Sequence, residues 1–323
     1  MAGGLRVGQR SGAPLAEVDS LSTSAPSISI VIAVYNDWVP LDLCLQSLDR
    51  QTDAPSFEVV IADDGSTHVA PEFIRNASRH YPLTIVRQPH KGISPARNFG
   101  IQNSRGSVVI FVDADCKLQN DCLAKLSSVM DEHPEHHYFQ LRLIGDCSTL
   151  VGRAEELRLI TIQKHMLRPD GQIRYLNTAG FAIRRMRTNI SGKIFDPDAQ
   201  RAEDTLLLTN LMQSGELPWF VNDAVVQHAI PLSLFACLFK GARPAYMERW
   251  THNLIAAKGI KFRVSHRERL SMLRSMWKIS EQPSIGRPAW FVLAARQVIR
   301  FVMLLLTDAT RLRDPGRIST KSS

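Results

Sequence analysis

From Ile28 onward the chain alternates short apolar runs with amphipathic stretches, and two of the most apolar runs end in clustered aspartates. This alternation predicts strands exchanged with helices in a mixed, mostly parallel sheet, a Rossmann-like α/β architecture flanked by helices. Strands are expected at Ile28–Val34, 57–62, 83–86 and 107–112. A helix near Pro40 places Leu41, Cys44, Leu45 and Leu48 on one face at i, i+3, i+4 and i+7. Ser94 and Pro95 give the N-cap and first turn of a helix over 94–104, and Leu123, Leu126, Val129 and Met130 mark another. Beyond about residue 145 the pattern becomes irregular, with a helix over 153–165, a strand over 181–183, and a helix from Asp204 carrying Leu207, Leu208 and Leu211.

Both acidic clusters, Asp63-Asp64 and Asp113-Ala114-Asp115, fall at carboxyl ends of expected strands, where open α/β sheets form their ligand crevice. Asp113 and Asp115 stand two apart, a spacing that lets carboxylates face a divalent cation such as Mg²⁺ or Mn²⁺ and leaves room for phosphate oxygens. Such an ion would neutralise a leaving diphosphate. An aspartate after a strand also serves to cap a helix or make a turn, so the triplet by itself does not separate these roles.

The runs ISIVIAVYN ending at Asn36, VVIADDGS ending at Ser66, GISPARN ending at Asn98 and the triplet Asp113-Ala114-Asp115, in this order and spacing, resemble family 2 glycosyltransferases of the GT-A fold. The resemblance covers residues 28 to about 230. It implies a metal-dependent, inverting enzyme of hexosyltransferase type. The donor would be a nucleotide-diphosphate sugar, UDP-linked by preference, and the acceptor a hydroxyl of a glycan, lipid-linked or small molecule, as in polysaccharide biosynthesis. It further implies that Asp64 contacts the donor base, that Tyr35 lies near that base and that Arg97 lines the nucleotide pocket. Asp115 is given the metal, with Asp113 close to the ribose or the ion. Ala202-Glu203-Asp204-Thr205 matches the Glu-Asp pair that opens a helix, which assigns Asp204 as the base that deprotonates the acceptor. Asn177-Thr178-Ala179-Gly180 matches the glycine loop beside the donor sugar, and His228 falls where a histidine completes the metal shell. A turn accounts equally well for Asp63, while packing is the competing role for Tyr35, helix capping for Asp204 or Glu203, and a packed or surface position for His228.

Two related activities fit less well. A sugar-1-phosphate nucleotidyltransferase should open with a glycine-rich, arginine-bearing loop where this chain has Val34-Tyr35-Asn36-Asp37. A processive synthase should show Gln-x-x-Arg-Trp, whereas Tyr246 precedes Arg249-Trp250. A non-catalytic nucleotide-sugar-binding protein would not need an intact Asp204.

The expected organisation is therefore a loose tail over residues 1–27, a GT-A domain over 28–230 (nucleotide side 28–116, acceptor side 145–230) and a helical, basic extension over 231–323. The tail lacks the continuous apolar core of a secretory signal. Lys and Arg exceed Asp and Glu by 39 to 31, which directs attention to an anionic partner. In the extension the cations Lys240, Arg243, Arg249, Lys258, Lys261, Arg263, Arg267 and Arg269 are mixed with Phe, Leu, Trp and Met and form no recognised DNA- or RNA-binding motif, so nucleic acid is not expected. The stretch 287–308 is apolar but broken by Arg296, Gln297 and Arg300, which fits a helix lying on an anionic membrane surface or packed on the protein rather than a span. Five cysteines without a CxxC pair fit a reducing cytoplasm, with peripheral contact at the inner membrane face.

Overall fold

The structure is a computed structural model that describes residues 25–185, 194–199, 202–229, 233–240 and 266–313. The expectations for residues 1–24, for Arg243, Arg249, Lys258, Lys261 and Arg263, and for Tyr246 and Trp250 lie outside the described residues. Eight strands form one sheet in the order β3-β2-β1-β4-β7-β6-β8-β5. The first four are β1 Ile28–Val34, β2 Phe57–Asp63, β3 Leu83–Arg87 and β4 Val108–Phe111, all parallel.

In β1, Ile28, Ile30, Ile32 and Val34 pack on one side of the sheet and Val31 on the other, so all of the run but Ala33 is buried, as befits a central parallel strand. One side is covered by α1 Trp38–Asp49 and α4 Cys122–Glu132. The other is covered by α3 Ile93–Gln102 and α6 Glu203–Gln213. In α1, Leu41, Leu45 and Leu48 are each 1% exposed or less, and burying such a side chain is worth roughly 1.5–3 kcal/mol.

Register decides where the site lies. Val34 pairs with Asp63 across β1 and β2, and Val31 pairs with Phe111 across β1 and β4. The chain therefore leaves all three strands at one edge, and β1/β4 is the point where strand order reverses, the usual ligand crevice of such sheets.

Of the second half of the sheet only the strand at 181–183 was anticipated. This half consists of β5 Cys116–Leu118, β6 Tyr138–Gly145, β7 Phe181–Arg184 and β8 Trp219–His228, with β7 antiparallel to β4 and β6, and β5 antiparallel to β8. Polar residues hide the others. Gln140 is fully buried in β6, where its amide is satisfied by Leu141 O, Gly180 O and Asn177 N. A register shift at Leu141/Arg142 further breaks the period.

A second correction concerns Ser94. Helix α3 starts one residue earlier, and its N-cap is Gly92 at φ 100°, a conformation open to glycine. The Ser94 hydroxyl instead donates to Ala199 O at 2.9 Å, tying α3 to the segment 194–199.

Beyond the sheet, α5 Leu150–Met166 packs with α7 Leu234–Lys240 and with the helices His266–Ile279 and Arg287–Arg313 through Leu157, Ile279, Ile285 and Val292. Among the described residues no helix is long and apolar enough to cross a membrane.

Candidate active site

Asp64 closes the β1/β2 edge, with its N–H donating to Val34 O at 2.9 Å. Its carboxylate is 5% exposed and meets three donors from the loop 88–92, with the His90 ring beside them. Gln88 Nε2 and Lys91 N donate to Oδ1 at 2.7 and 3.0 Å, Gly92 N donates to Oδ2 at 2.8 Å, and His90 Nδ1 lies 2.8 Å from Oδ2. An ionised carboxylate offers about four acceptor positions, so these three donors fix Asp64 into the crevice wall and leave it about one position for a further partner. The wall exposes a flat platform: Tyr35 stacks on His90 with ring centroids 4.2 Å apart, and Tyr35 is 44% exposed. Asp63 accepts from Ser66 N at 2.8 Å and so serves its turn.

Arg97 sits on α3 and is almost fully buried. It donates through Nη1 to Glu203 Oε1 at 2.5 Å and through Nη2 to Asp113 Oδ1 at 2.7 Å, above the Phe195 ring at 5.6 Å. Burial acts to lower its pKa, but the two carboxylates more than offset this and hold it above its ordinary value. One guanidinium thus joins the loop after β4 to the start of α6, 106 residues apart in sequence for the Glu203 contact. Breaking a buried pair by removing one partner strands the other charge. Arg97→Met is accordingly expected to lower unfolding stability by about 3–5 kcal/mol in urea; an unchanged midpoint would contradict the bridging role.

Asp115 and His228 meet because β5 and β8 pair with Cys116 opposite His228. His228 Nε2 lies 3.3 Å from Asp115 Oδ2, and its Nδ1 lies 3.8 Å from Glu155 Oε1 on α5. Desolvation lowers the imidazole pKa, but the two carboxylates raise it further, to about 10. Burial likewise comes first for Glu155, yet the adjoining Arg158 outweighs it and keeps the carboxylate well below its usual range. A divalent cation fits this donor set. His228 Nε2 and Asp115 Oδ2, one nitrogen and one oxygen 3.3 Å apart, are close enough to face a single ion, and a cation held there would take the place of a proton on His228. Glu155 would then orient the ring from behind. The thiol of Cys116 is close enough to join, but burial first, and then Asp113 and Asp115, push its pKa well above the ordinary thiol value, so it stays protonated and is a poor ligand. Asp113 has one oxygen committed to Arg97, whereas the two oxygens of Asp115 face His228 and Cys116.

Asp204 lies in the first turn of α6, beside Glu203. Its Oδ1 accepts from Thr205 N at 2.6 Å. Burial, and then the Glu203 charge, raise its pKa to about 7, against the opposing pull of Thr205 and Arg97. Gly180 ends a short helical turn, Thr178–Gly180, and a Cβ there would meet Leu143 Cδ2 at 2.9 Å. Its missing side chain therefore serves close packing in the sheet core.

The structure thus brings Arg97, Asp113, Glu203 and Asp204 into one network, and Asp115 and His228 into another, with Tyr35 and Asp64 on the wall. Sequence reasoning missed His90, Glu155 and Phe195. His90 had a signal, lying two residues before Gly92. Nothing local to Glu155 placed it behind His228.

Residues 29–189, half of the chain, match the family model described as Glycosyl transferase family 2. Curated relatives include two Bacillus subtilis proteins. The putative glycosyltransferase EpsH is 32% identical over 33% of this chain and 31% of its own length. The uncharacterized glycosyltransferase EpsJ is 24% identical over 69% of this chain and 67% of its own length. The match to EpsH therefore spans about a third of that protein.

Among solved structures, the mannosyltransferase PcManGT from Pyrobaculum calidifontis, in complex with GDP-Man and Mn²⁺, covers 91% of this chain and 83% of its own at TM-score 0.53 and 20% identity. S. aureus TarS 1-349, in complex with UDP-GlcNAc, covers 88% and 92% at TM-score 0.52 and 15% identity. At these identities the likeness is one of fold, and that fold is GT-A.

Proposed function

Because the chain belongs to glycosyl transferase family 2, we propose that it moves a sugar from a nucleotide-diphosphate donor to an acceptor hydroxyl with inversion, using Asp204 as base and a divalent cation held by Asp115 and His228. The observation that carries this reading is the single edge at which the Arg97–Asp113–Glu203 network, the partly exposed Asp115–His228 pair and a carboxylate with a pKa near 7 open together.

In this mechanism the base of the donor lies against Tyr35 and His90, with Asp64 fixing the loop that carries His90. Arg97 holds Asp113 toward the ribose. Mn²⁺ or Mg²⁺, when bound, neutralises the charge that develops on the departing diphosphate. Glu155 keeps His228 turned toward Asp115. The acceptor oxygen bonds to the anomeric carbon as the bond to the phosphate oxygen breaks on the opposite face, and Asp204 takes the hydroxyl proton. A base whose pKa lies near working pH suits this transfer. Uridine is the base of first choice, as in the UDP-GlcNAc complex of TarS; the GDP-Man complex of PcManGT makes guanosine the second.

The test is a panel of nucleotide sugars with Mn²⁺ and candidate acceptors, reading released nucleoside diphosphate. Release with at least one donor is expected. Tight binding with no release would assign the fold to sensing, and pyrophosphate formed from a nucleoside triphosphate and a sugar 1-phosphate would assign it to nucleotidyl transfer.

The pH dependence has a definite sign. Below about 7 Asp204 is protonated and cannot accept a proton, so kcat/KM should fall about tenfold per pH unit there and level off above. A flat profile from pH 5 to 8, at saturating cation, would exclude Asp204 as the base.

A further inference from the structure

The helices His266–Ile279 and Arg287–Arg313 expose a continuous apolar face edged with cations. On the first, Leu270, Leu273 and Trp277 stand at i, i+3 and i+7 and are 56%, 53% and 41% exposed. Arg267, Arg274 and Lys278, all exposed, run as a parallel stripe beside them. On the second helix Ala289 and Val292 turn inward, while Phe291, Val298 and Val302 point outward at i, i+7 and i+11. The two stripes join through aromatic contacts: Trp277 meets Trp290 edge-on at 5.1 Å, and Trp290 meets Phe291 at 5.3 Å. Between them and the end of α5 lies a cleft of about 610 Å³ lined by Lys164, Arg274 and Lys278 and, among the described residues, by no carboxylate.

Charge decides what such a face fits. Between His266 and Val302 the chain has seven Arg or Lys and two Glu. Both glutamates are engaged, Glu268 with Arg174 and Glu281 with Arg287. A second copy docking on the same face would set the basic stripes against each other, and an uncharged apolar partner would leave them unmatched. We propose that this face seats on an anionic lipid bilayer, with Leu, Phe and Trp side chains at the headgroup boundary and Arg274, Lys278 and Lys164 on lipid phosphates. Helix α5 links this face to the candidate active site: it runs from Glu155, beside His228, to Lys164 at the cleft, nine residues or about 14 Å at 1.5 Å per residue. A glycan carried at a membrane surface lies within reach of such a site. The proposal stands independently of the catalytic reading.

Sedimentation of the full chain with phosphatidylcholine vesicles, with and without phosphatidylglycerol, tests it. Binding only to the anionic vesicles, weakened by salt, is expected. Arg274→Gln with Lys278→Gln should weaken it about thirtyfold, at about 1 kcal/mol per cation. Phe291→Ser with Val298→Ser should weaken it about tenfold or more, from the apolar area lost. Both doubles should keep wild-type melting temperatures and donor turnover without vesicles. Equal retention on both vesicle types, or no binding at low salt, would overturn the proposal. So would a dimer in light scattering that the Phe291/Val298 double dissociates, since the face would then belong to a second copy.

Discussion

Replacing Asp204 by Asn is expected to lower turnover about 10²–10⁴-fold, the usual worth of a positioned general base, while the donor binds as before. Asn keeps the shape and the contact with Thr205 N but cannot take a proton. The cause of the raised pKa supplies a second readout. Burial and Glu203 penalise the ionised form, so the folded carboxylate titrates near 7 against about 3.9 in an unfolded chain. A raised pKa means that folded stability is fully present below the unfolded value and declines as pH rises through about 7. Asn carries no such charge, so Asp204→Asn should melt higher than wild type at pH 8 and show little difference at pH 4, with a gain of about 1 kcal/mol once partial exposure is allowed for. Lost turnover together with higher stability at pH 8 is the signature of a site that holds a carboxylate in an unfavourable place for function. Lost turnover with lower stability would mean that Asp204 acts only as a helix cap.

The parallel half of the fold was legible because its central strands are buried almost throughout and read as largely apolar runs. Ile28–Val34 is one such run, and its aspartate-ended neighbours fixed the crevice at one edge. The second half was legible only at 181–183. Its other strands carry Gln140, Arg142, Asn222 and Asp223; Gln140 is answered by the distant Asn177 N, while Asn222 and Asp223 face solvent and bond to each other. The site divides in the same way. Asp113 and Asp115 stood out by type and spacing, whereas Arg97, Asp204 and His228 were implied by the family resemblance; the structure pairs Arg97 with Asp113 and His228 with Asp115. Their mutual wiring did not stand out. The sequence contains no local signal that Arg97 would bridge Asp113 and Glu203, or that Glu155 would stand behind His228, because such pairs are made by sheet register and helix packing rather than by neighbours along the chain. Asp64 carries the same lesson. Its position marked the pocket, but its carboxylate is committed to the loop 88–92, which only the folded geometry reveals.

The second large effect concerns Asp115. Asn at this position keeps a neutral carbonyl oxygen but removes the charge that, with His228, would hold the cation, and hard divalent ions depend on anionic oxygen donors. The loop should survive, since its backbone bond from Ala229 N to Asp115 O at 2.9 Å does not involve the side chain. The central claim, a cation held at this pair and required for transfer, is tested most directly by titrating Mn²⁺ into metal-stripped wild type and Asp115→Asn under saturating donor and reading released nucleoside diphosphate. The account predicts no release from either protein in chelator, saturable recovery in wild type, and in Asp115→Asn a recovery at least about 100-fold weaker. Release that persists in chelator, or equal Mn²⁺ dependence in the two proteins, would contradict it.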